Sequence, residues 1–242
     1  MWGKKTVSVI FPTYKEKDSV RKAIEEFDYR GFVDEIVVVD NNAEAGTREE
    51  VGKTRAKLIK EPKQGYGHAI RKGLKTAKSD LLIIAEPDGS FDGRDVVKLL
   101  AYSDDFEVVF GSRTHRPFYQ RDSDMTFVKR IGDVMLGKLA NILFLRYPVT
   151  DLGCTLRLTS RKAWEKIKKE CRSADGILAT EWVLVAMKND LKFVEIPINY
   201  RARIGKSAVS GTPLKKIVWG IRKFLYIWKV WFYCRLGRNL YS

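Results

Sequence analysis

A chain of 242 residues with 45 Lys and Arg against 30 Asp and Glu carries a formal charge of +15 and has a pI near 9.7. Its length fits one large α/β domain, and its charge points to an anionic partner: a phosphorylated substrate, an acidic lipid surface or nucleic acid. Cys154, Cys171 and Cys234 are odd in number, far apart and without metal-ligand spacing, which argues against a disulfide framework or a zinc site and for a reducing, cytoplasmic compartment. A strand pattern begins close to Met1 with no secretory apolar core before it, again as expected of a cytoplasmic protein.

Short apolar runs then alternate with helical patterns. Val7 to Phe11 predicts a strand, Ser19 to Phe27 a helix, Glu35 to Val39 a strand, Tyr66 to Lys78 a helix, Leu81 to Ala85 a strand, Arg94 to Tyr102 a helix and Val108 to Phe110 a strand. Such alternation gives an α/β fold with a largely parallel sheet and helices on both faces, in which ligands bind beyond the carboxyl ends of the strands. A longer helix near Thr126 to Leu145 groups Val128, Ile131, Met135, Leu139 and Ile142, with Lys129, Arg130 and Lys138 at or beyond the edges.

The last stretch differs in kind. From Ile196 to Ser242 there are ten Lys or Arg and no Asp or Glu. Between Pro213 and Arg235 the spacing puts Lys215, Lys216, Arg222, Lys223 and Lys229 on one helical face and Ile217, Ile221, Phe224, Trp228 and Trp231 on the other, an interfacial-helix pattern suited to an anionic membrane surface. No segment offers the roughly 18 uncharged residues that would cross a bilayer, so peripheral attachment to the cytoplasmic face is expected.

The strand ends carry the polar residues. The first strand runs into Phe11-Pro12-Thr13-Tyr14-Lys15-Glu16, and the second ends in Val39-Asp40-Asn41. No glycine fingerprint follows the first strand, which disfavours a nicotinamide or flavin site. Gly65-Tyr66-Gly67 opens a helix with basic residues in its early turns; a phosphate seat and a plain helix start explain it equally well, and His68 reads as a cap or packing residue. After Leu81 to Ala85 the chain places Glu86 and Asp88 one residue apart. Two carboxylates at a strand end can hold a hard divalent cation, although a solvated turn around Pro87 and Gly89 would look the same.

Taken in order, these segments resemble the family 2 glycosyltransferases of GT-A fold, and within them the dolichyl- or polyprenyl-phosphate sugar synthases. Gly111-Ser112-Arg113, Asp151-Leu152-Gly153-Cys154-Thr155-Leu156-Arg157 and Tyr200-Arg201-Ala202-Arg203-Ile204-Gly205-Lys206-Ser207 complete the likeness, which covers nearly the whole chain. The resemblance implies a catalytic domain over 1–212 followed by an interfacial helix over 213–242. It implies that Pro12, Tyr14, Glu16, Asp40 and Gly65 meet the nucleotide, and that Glu86, Asp88 and Ser90 hold Mg2+ or Mn2+, with glutamate standing where the family has its first aspartate. Arg113 would meet a phosphate, Arg157 would belong to the same substrate site, and Arg201, Arg203 and Lys206 would form a basic cluster beside Gly205.

The implied reaction moves a hexose from a nucleotide-diphosphate sugar to a polyprenyl phosphate, with inversion and with positioning and electrostatics supplying most of the rate. An ionised phosphate acceptor needs no strong base. A hydroxyl acceptor on a glycan or small molecule would, and Glu181 or Asp151 is the candidate, Asp151 having the alternative of orienting Arg157. A basic nucleic-acid-binding protein is the remaining alternative, disfavoured because acids and glycines concentrated at strand ends have no role there, so no nucleic-acid partner is expected.

Overall fold

The computed structural model describes residues 1–28, 31–205 and 213–237. In chain order it holds β1 Val7–Thr13, α1 Lys17–Phe27, β2 Glu35–Asp40, α2 Thr47–Gly52, β3 Lys57–Lys60, α3 Tyr66–Thr76, β4 Leu81–Ile84, α4 Asp95–Ala101, β5 Val108–Ser112, α5 Phe127–Phe144, β6 Arg157–Ser160, α6 Arg161–Ile167, α7 Ile177–Lys188, β7 Phe193–Pro197 and α8 Pro213–Arg235. The strands form one sheet in the order β3-β2-β1-β4-β6-β5-β7, parallel except for β6, which runs antiparallel to both neighbours. This is the α/β architecture that the resemblance implies, with a mostly parallel central sheet flanked by helices.

Successive side chains of a strand point to opposite faces, so each central strand feeds two cores. Ile10, Val37, Val39, Leu82 and Ile84 face one layer, with Ile70 and Leu74 of α3 and Leu178, Trp182 and Val185 of α7. Val9, Phe11, Ile36, Val38 and Ile83 face the other, with Val20, Ile24 and Phe27 of α1 and Leu99 and Leu100 of α4. Every residue of β1 and β4 is buried, which is why both read as continuous apolar runs.

The three strands without a strong sequence signal have physical reasons to be quiet. β3, Lys57-Leu58-Ile59-Lys60, lies at the sheet edge with a lysine at each end, a common way of blunting an edge. β7 is the opposite edge and closes on Pro197. β6, Arg157-Leu158-Thr159-Ser160, is polar at three of four positions and is held by ladders on both sides.

α8 begins at Pro213 as expected, but its faces are not divided as the sequence suggested. Ile227 and Val230 are buried in the same core as the central strands, and Trp231 donates its indole N–H to Leu143 O of α5 at 3.0 Å. Lys223, expected on the basic face of an interfacial helix, is buried against Asp133 of α5 at 3.2 Å. The face carrying Ile217, Ile221, Phe224, Leu225 and Trp228 is exposed, and so are Phe127, Val128, Ile131, Met135 and Ile142 of α5. No helix among the described residues is long and apolar enough to cross a membrane.

Candidate active site

The parallel strands β1, β2, β4 and β5 end on one side of the sheet, and a cavity of about 380 Å³ lies beyond their carboxyl ends. Pro12, Thr13, Tyr14 and Glu16 follow β1 along its wall, Asn41 follows β2, Glu86 and Pro87 follow β4, and Arg113 follows β5. Glu16 folds back on its own loop, its Oε2 accepting from the Tyr14 and Lys15 amides at 2.6 and 2.8 Å. This carboxylate makes the turn rigid where the chain leaves the sheet.

Asp40, expected at the nucleoside, stands behind the wall. Its carboxylate takes the Arg48 guanidinium at 2.9 and 2.7 Å and the Ala43 amide at 2.8 Å, so it closes the loop after β2 and leaves Asn41 to face the cavity. Asn41 Oδ1 accepts the Gly65 amide at 2.8 Å, and its Nδ2 donates to Glu61 O and Lys63 O. At the glycine-rich helix entry, Gly65 has φ +141° and a Cβ there would meet Ala174 O at 2.5 Å; one at Gly67 would meet Ser173 O at 1.9 Å. The Gly67 amide donates to Ala174 O at 2.8 Å. These glycines admit a crossing backbone, and their neighbours Gln64 and Tyr66 line the cavity.

Glu86 opens into the cavity with its side chain 28% exposed, whereas Asp88 is buried just behind it. The Arg203 guanidinium sits across both, 3.9 Å from Glu86 and 2.6 Å from Asp88. Thr155 and Tyr66 line the cavity with Glu86. Burial first, and then the charge of Asp88, pushes the Glu86 carboxyl up to about 7. Ser90 is buried outside the lining, its amide donating to Asp88 Oδ1 at 2.9 Å, and so shapes Asp88 rather than reaching the cavity.

Another part of the wall is basic. Arg113 is buried, forks onto Asp151 through Nε at 2.8 Å and Nη2 at 2.9 Å, and stacks over the Tyr200 ring at 5.3 Å. Burial alone would raise the Asp151 carboxyl, but Arg113 overrides it and holds the group well below the usual carboxylate range. Asp151 therefore orients Arg113, not Arg157, and makes a poor base. Lys129 of α5 and Lys223 of α8 join Arg113 along this wall, with Trp219 of α8 beside them. Burial, reinforced by Arg113, brings the Lys129 ammonium down to about 8.

Three expected site residues lie elsewhere. Arg157 is buried on the α7 side, donating to Ala179 O and Cys154 O beneath the Phe110 and Trp182 rings; its motif braces the core. Glu181 is fully buried one turn into α7, accepting from the Ser173 amide at 2.8 Å and the Tyr226 hydroxyl at 2.5 Å, and does not line the cavity. A buried carboxylate so engaged is not placed to receive a substrate proton. Arg201 pairs with Glu26 at 3.0 Å and Asp92 at 2.6 Å, tying its segment to α1 instead of the cavity. Lys206 lies outside the described residues.

Asn41, Gln64, Tyr66, Asp124, Lys129, Thr155, Asp175, Tyr200, Trp219 and Lys223 line the cavity without having been singled out as site residues. Asn41, Tyr66, Thr155 and Tyr200 lie inside the motifs that carry the resemblance, Lys129 in the α5 helix pattern and Trp219 and Lys223 in the acid-free tail, whereas Gln64, Asp124 and Asp175 carry no such signal.

The donor set fits a small hard cation. Among the described residues no group of three His, Cys, Asp or Glu side chains converges, but Glu86 and Asp88 offer two carboxylates already bridged by a positive group. Mg2+ and Mn2+ sites commonly take one or two carboxylates and complete their shell with substrate phosphates and water.

The family model described as Glycosyl transferase family 2 matches residues 8–168. The low-salt glycan biosynthesis hexosyltransferase Agl6 of Haloferax volcanii is 28% identical over 86% of this chain, which spans about half, 51%, of that protein. The UDP-N-acetylglucosamine–dolichyl-phosphate N-acetylglucosaminyltransferase of Methanococcus voltae is 25% identical over 80% of this chain and 85% of its own. Among solved structures, glucosyl-3-phosphoglycerate synthase from Mycobacterium tuberculosis in complex with Mn2+ and UDP-glucose superposes with a TM-score of 0.69 at 15% identity, covering 97% of this chain and 80% of that one.

Proposed function

Because the chain belongs to glycosyl transferase family 2, we propose that it transfers a hexose from a nucleoside-diphosphate sugar to a polyprenyl phosphate of dolichyl type at a membrane surface, inverting the anomeric centre. The observation that carries this is the division of one cavity into two walls. Tyr14, Glu16, Asn41, Gln64 and Glu86 form one part of the lining and Arg113, Lys129 and Lys223 another, with Lys129 and Lys223 belonging to α5 and α8, which also carry exposed apolar side chains. The strand-end wall suits the nucleoside and diphosphate. The cationic wall suits an acceptor that is already an anion, and the exposed apolar side chains of α5 and α8 suit that acceptor's hydrocarbon chain.

In this reaction a phosphate oxygen of the acceptor attacks the anomeric carbon while the bond from that carbon to the diphosphate breaks, and the nucleoside diphosphate departs with the electron pair. Glu86 and Asp88 would hold Mg2+ or Mn2+, which supplies Lewis-acid neutralisation of the leaving diphosphate. Arg203 spans the same carboxylates and stands within reach of that charge. Arg113 and Lys129 hold the acceptor phosphate against its own repulsion from the donor. Since the acceptor is ionised at neutral pH, the engagement of Glu181 and Asp151 in internal hydrogen bonds costs the reaction nothing.

The test is a matrix of UDP- and GDP-hexoses with Mn2+ against a polyprenyl phosphate, 3-phosphoglycerate and a neutral glycan. A polyprenyl phosphohexose is the expected product. Turnover with a hydroxyl acceptor and none with the lipid phosphate would overturn the acceptor assignment. Attachment is tested by substituting the exposed Ile221 and Phe224 with Asp, because removing 213–242 would also strip Ile227 and Val230 from the core.

A further inference from the structure

The cavity gives a role to Arg113 but none to the carboxylate that supports it from behind. Glu195 is half-buried on β7, in register with Phe110 of β5. Its Oε1 accepts the Asp151 amide at 2.8 Å, and its Oε2 accepts both the amide and the hydroxyl of Thr150 at 2.8 Å. With its proton given to Glu195, the Thr150 hydroxyl is left as an acceptor for its neighbours Ser112, at 3.1 Å, and Thr114, at 2.7 Å. Those two residues flank Arg113. Asp151, its backbone fixed by Glu195, takes the Arg113 amide at 3.1 Å, the two arms of its guanidinium and the Gly153 amide at 3.0 Å.

We infer that Glu195 is a positioning residue for anion capture: it fixes the backbone of Thr150 and Asp151, Asp151 holds the Nε and Nη2 edge of Arg113, and the guanidinium N–H groups left outside that pair meet the phosphate of the substrate. The role of the guanidinium rests on the transferase assignment above; the chain of contacts behind it does not. A carboxylate is required at 195 because three donors converge on it. An amide of the same shape would turn an N–H toward a backbone N–H, and the loop before β6 would have to move. A shift of even an ångström in a bidentate fork is costly, since its two bonds share one fixed plane.

The experiment compares the full chain with Glu195→Gln and Glu195→Ala. UDP with Mn2+ and inorganic phosphate are titrated separately by calorimetry, and hydrogen exchange of the Arg113 Nε–H is followed by NMR. Losing a charge-assisted contact predicts about a tenfold fall in phosphate affinity and faster Nε–H exchange, with UDP affinity nearly unchanged. Thr150→Val should lose part of the same affinity, and Thr150→Ser should recover most of it; this pair decides the matter if the Glu195 variants do not fold. Unchanged phosphate affinity with unchanged exchange overturns the proposal, as does an equal loss of UDP and phosphate affinity, which marks a general structural role. If the wild-type chain binds neither probe the transferase assignment fails, and the Nε–H exchange rate alone then decides the role of Glu195.

Discussion

The two walls of the cavity are built by opposite strategies. The strand-end wall is local: Pro12 to Glu16, Asn41 and Glu86 follow directly from buried strands, so each is held by the sheet that precedes it. The cationic wall is assembled over distance. Lys129 comes from α5, Lys223 from α8 and Arg113 from the loop after β5, and Arg113 and Lys223 are paired with Asp151 and Asp133 from other segments. The first wall can be changed one residue at a time, whereas in the second Arg113 and Lys223 are each coupled to a buried acid.

The largest expected effect breaks the strand-end wall. Asp88→Asn should lower transfer about a thousandfold, the scale of removing a principal electrostatic group from a transition state. Mn2+ titration in the presence of UDP should weaken in parallel, while circular dichroism stays unchanged. Retained transfer and retained Mn2+ binding would end the metal assignment.

The second effect tests the coupling in the cationic wall. The Lys223 and Asp133 side chains are 8% and 7% exposed. Lys223→Met strands a buried carboxylate and should cost ~3 kcal/mol in denaturant unfolding. Adding Asp133→Leu should restore most of that stability while the KM for a lipid phosphate stays raised, with the donor KM near wild type. Recovery of both together would make the pair purely structural.

A pH profile of kcat/KM should read the two walls separately, because it reports the free enzyme. Glu86, raised to about 7, must be ionised to hold a cation, so activity should fall as pH drops below about 7. Lys129, lowered to about 8, must be protonated to hold an anion, so activity should fall as pH rises above about 8. Glu86→Gln should abolish the acidic limb and leave the alkaline one; Lys129→Arg should move the alkaline limb upward.

The smallest effect lies outside the cavity. Ile221→Asp, at a side chain 54% exposed, should weaken sedimentation with anionic vesicles by about tenfold or less, in keeping with loss of one buried aliphatic side chain. Transfer to a short water-soluble prenyl phosphate should persist.

The same contrast explains what could be read from the sequence. Strands buried on both faces leave long apolar runs, so β1, β2, β4 and β5 and the polar residues at their ends were visible, including Glu86 with Asp88. Edge strands and the inserted β6 lack that pattern because their partners lie far along the chain. α7 is apolar all round, Ile177 to Met187 being buried throughout, so it has no amphipathic stripe to show. Charged residues were the hardest to place. Asp40, Arg157, Glu181 and Arg201 sit in motifs next to site residues, but each is spent on an internal partner that neither spacing nor composition reveals. The same holds for Lys223, which the spacing puts on a lipid-facing basic face: its counter-charge, Asp133, is 90 residues away.

The guanidinium lying across Glu86 and Asp88 has a practical corollary. Two acids one residue apart, Asp88 buried and Glu86 partly so, would repel each other without a counter-charge. Arg203 supplies that charge from within the chain, so under the proposed metal assignment chelation by EDTA should inactivate without unfolding.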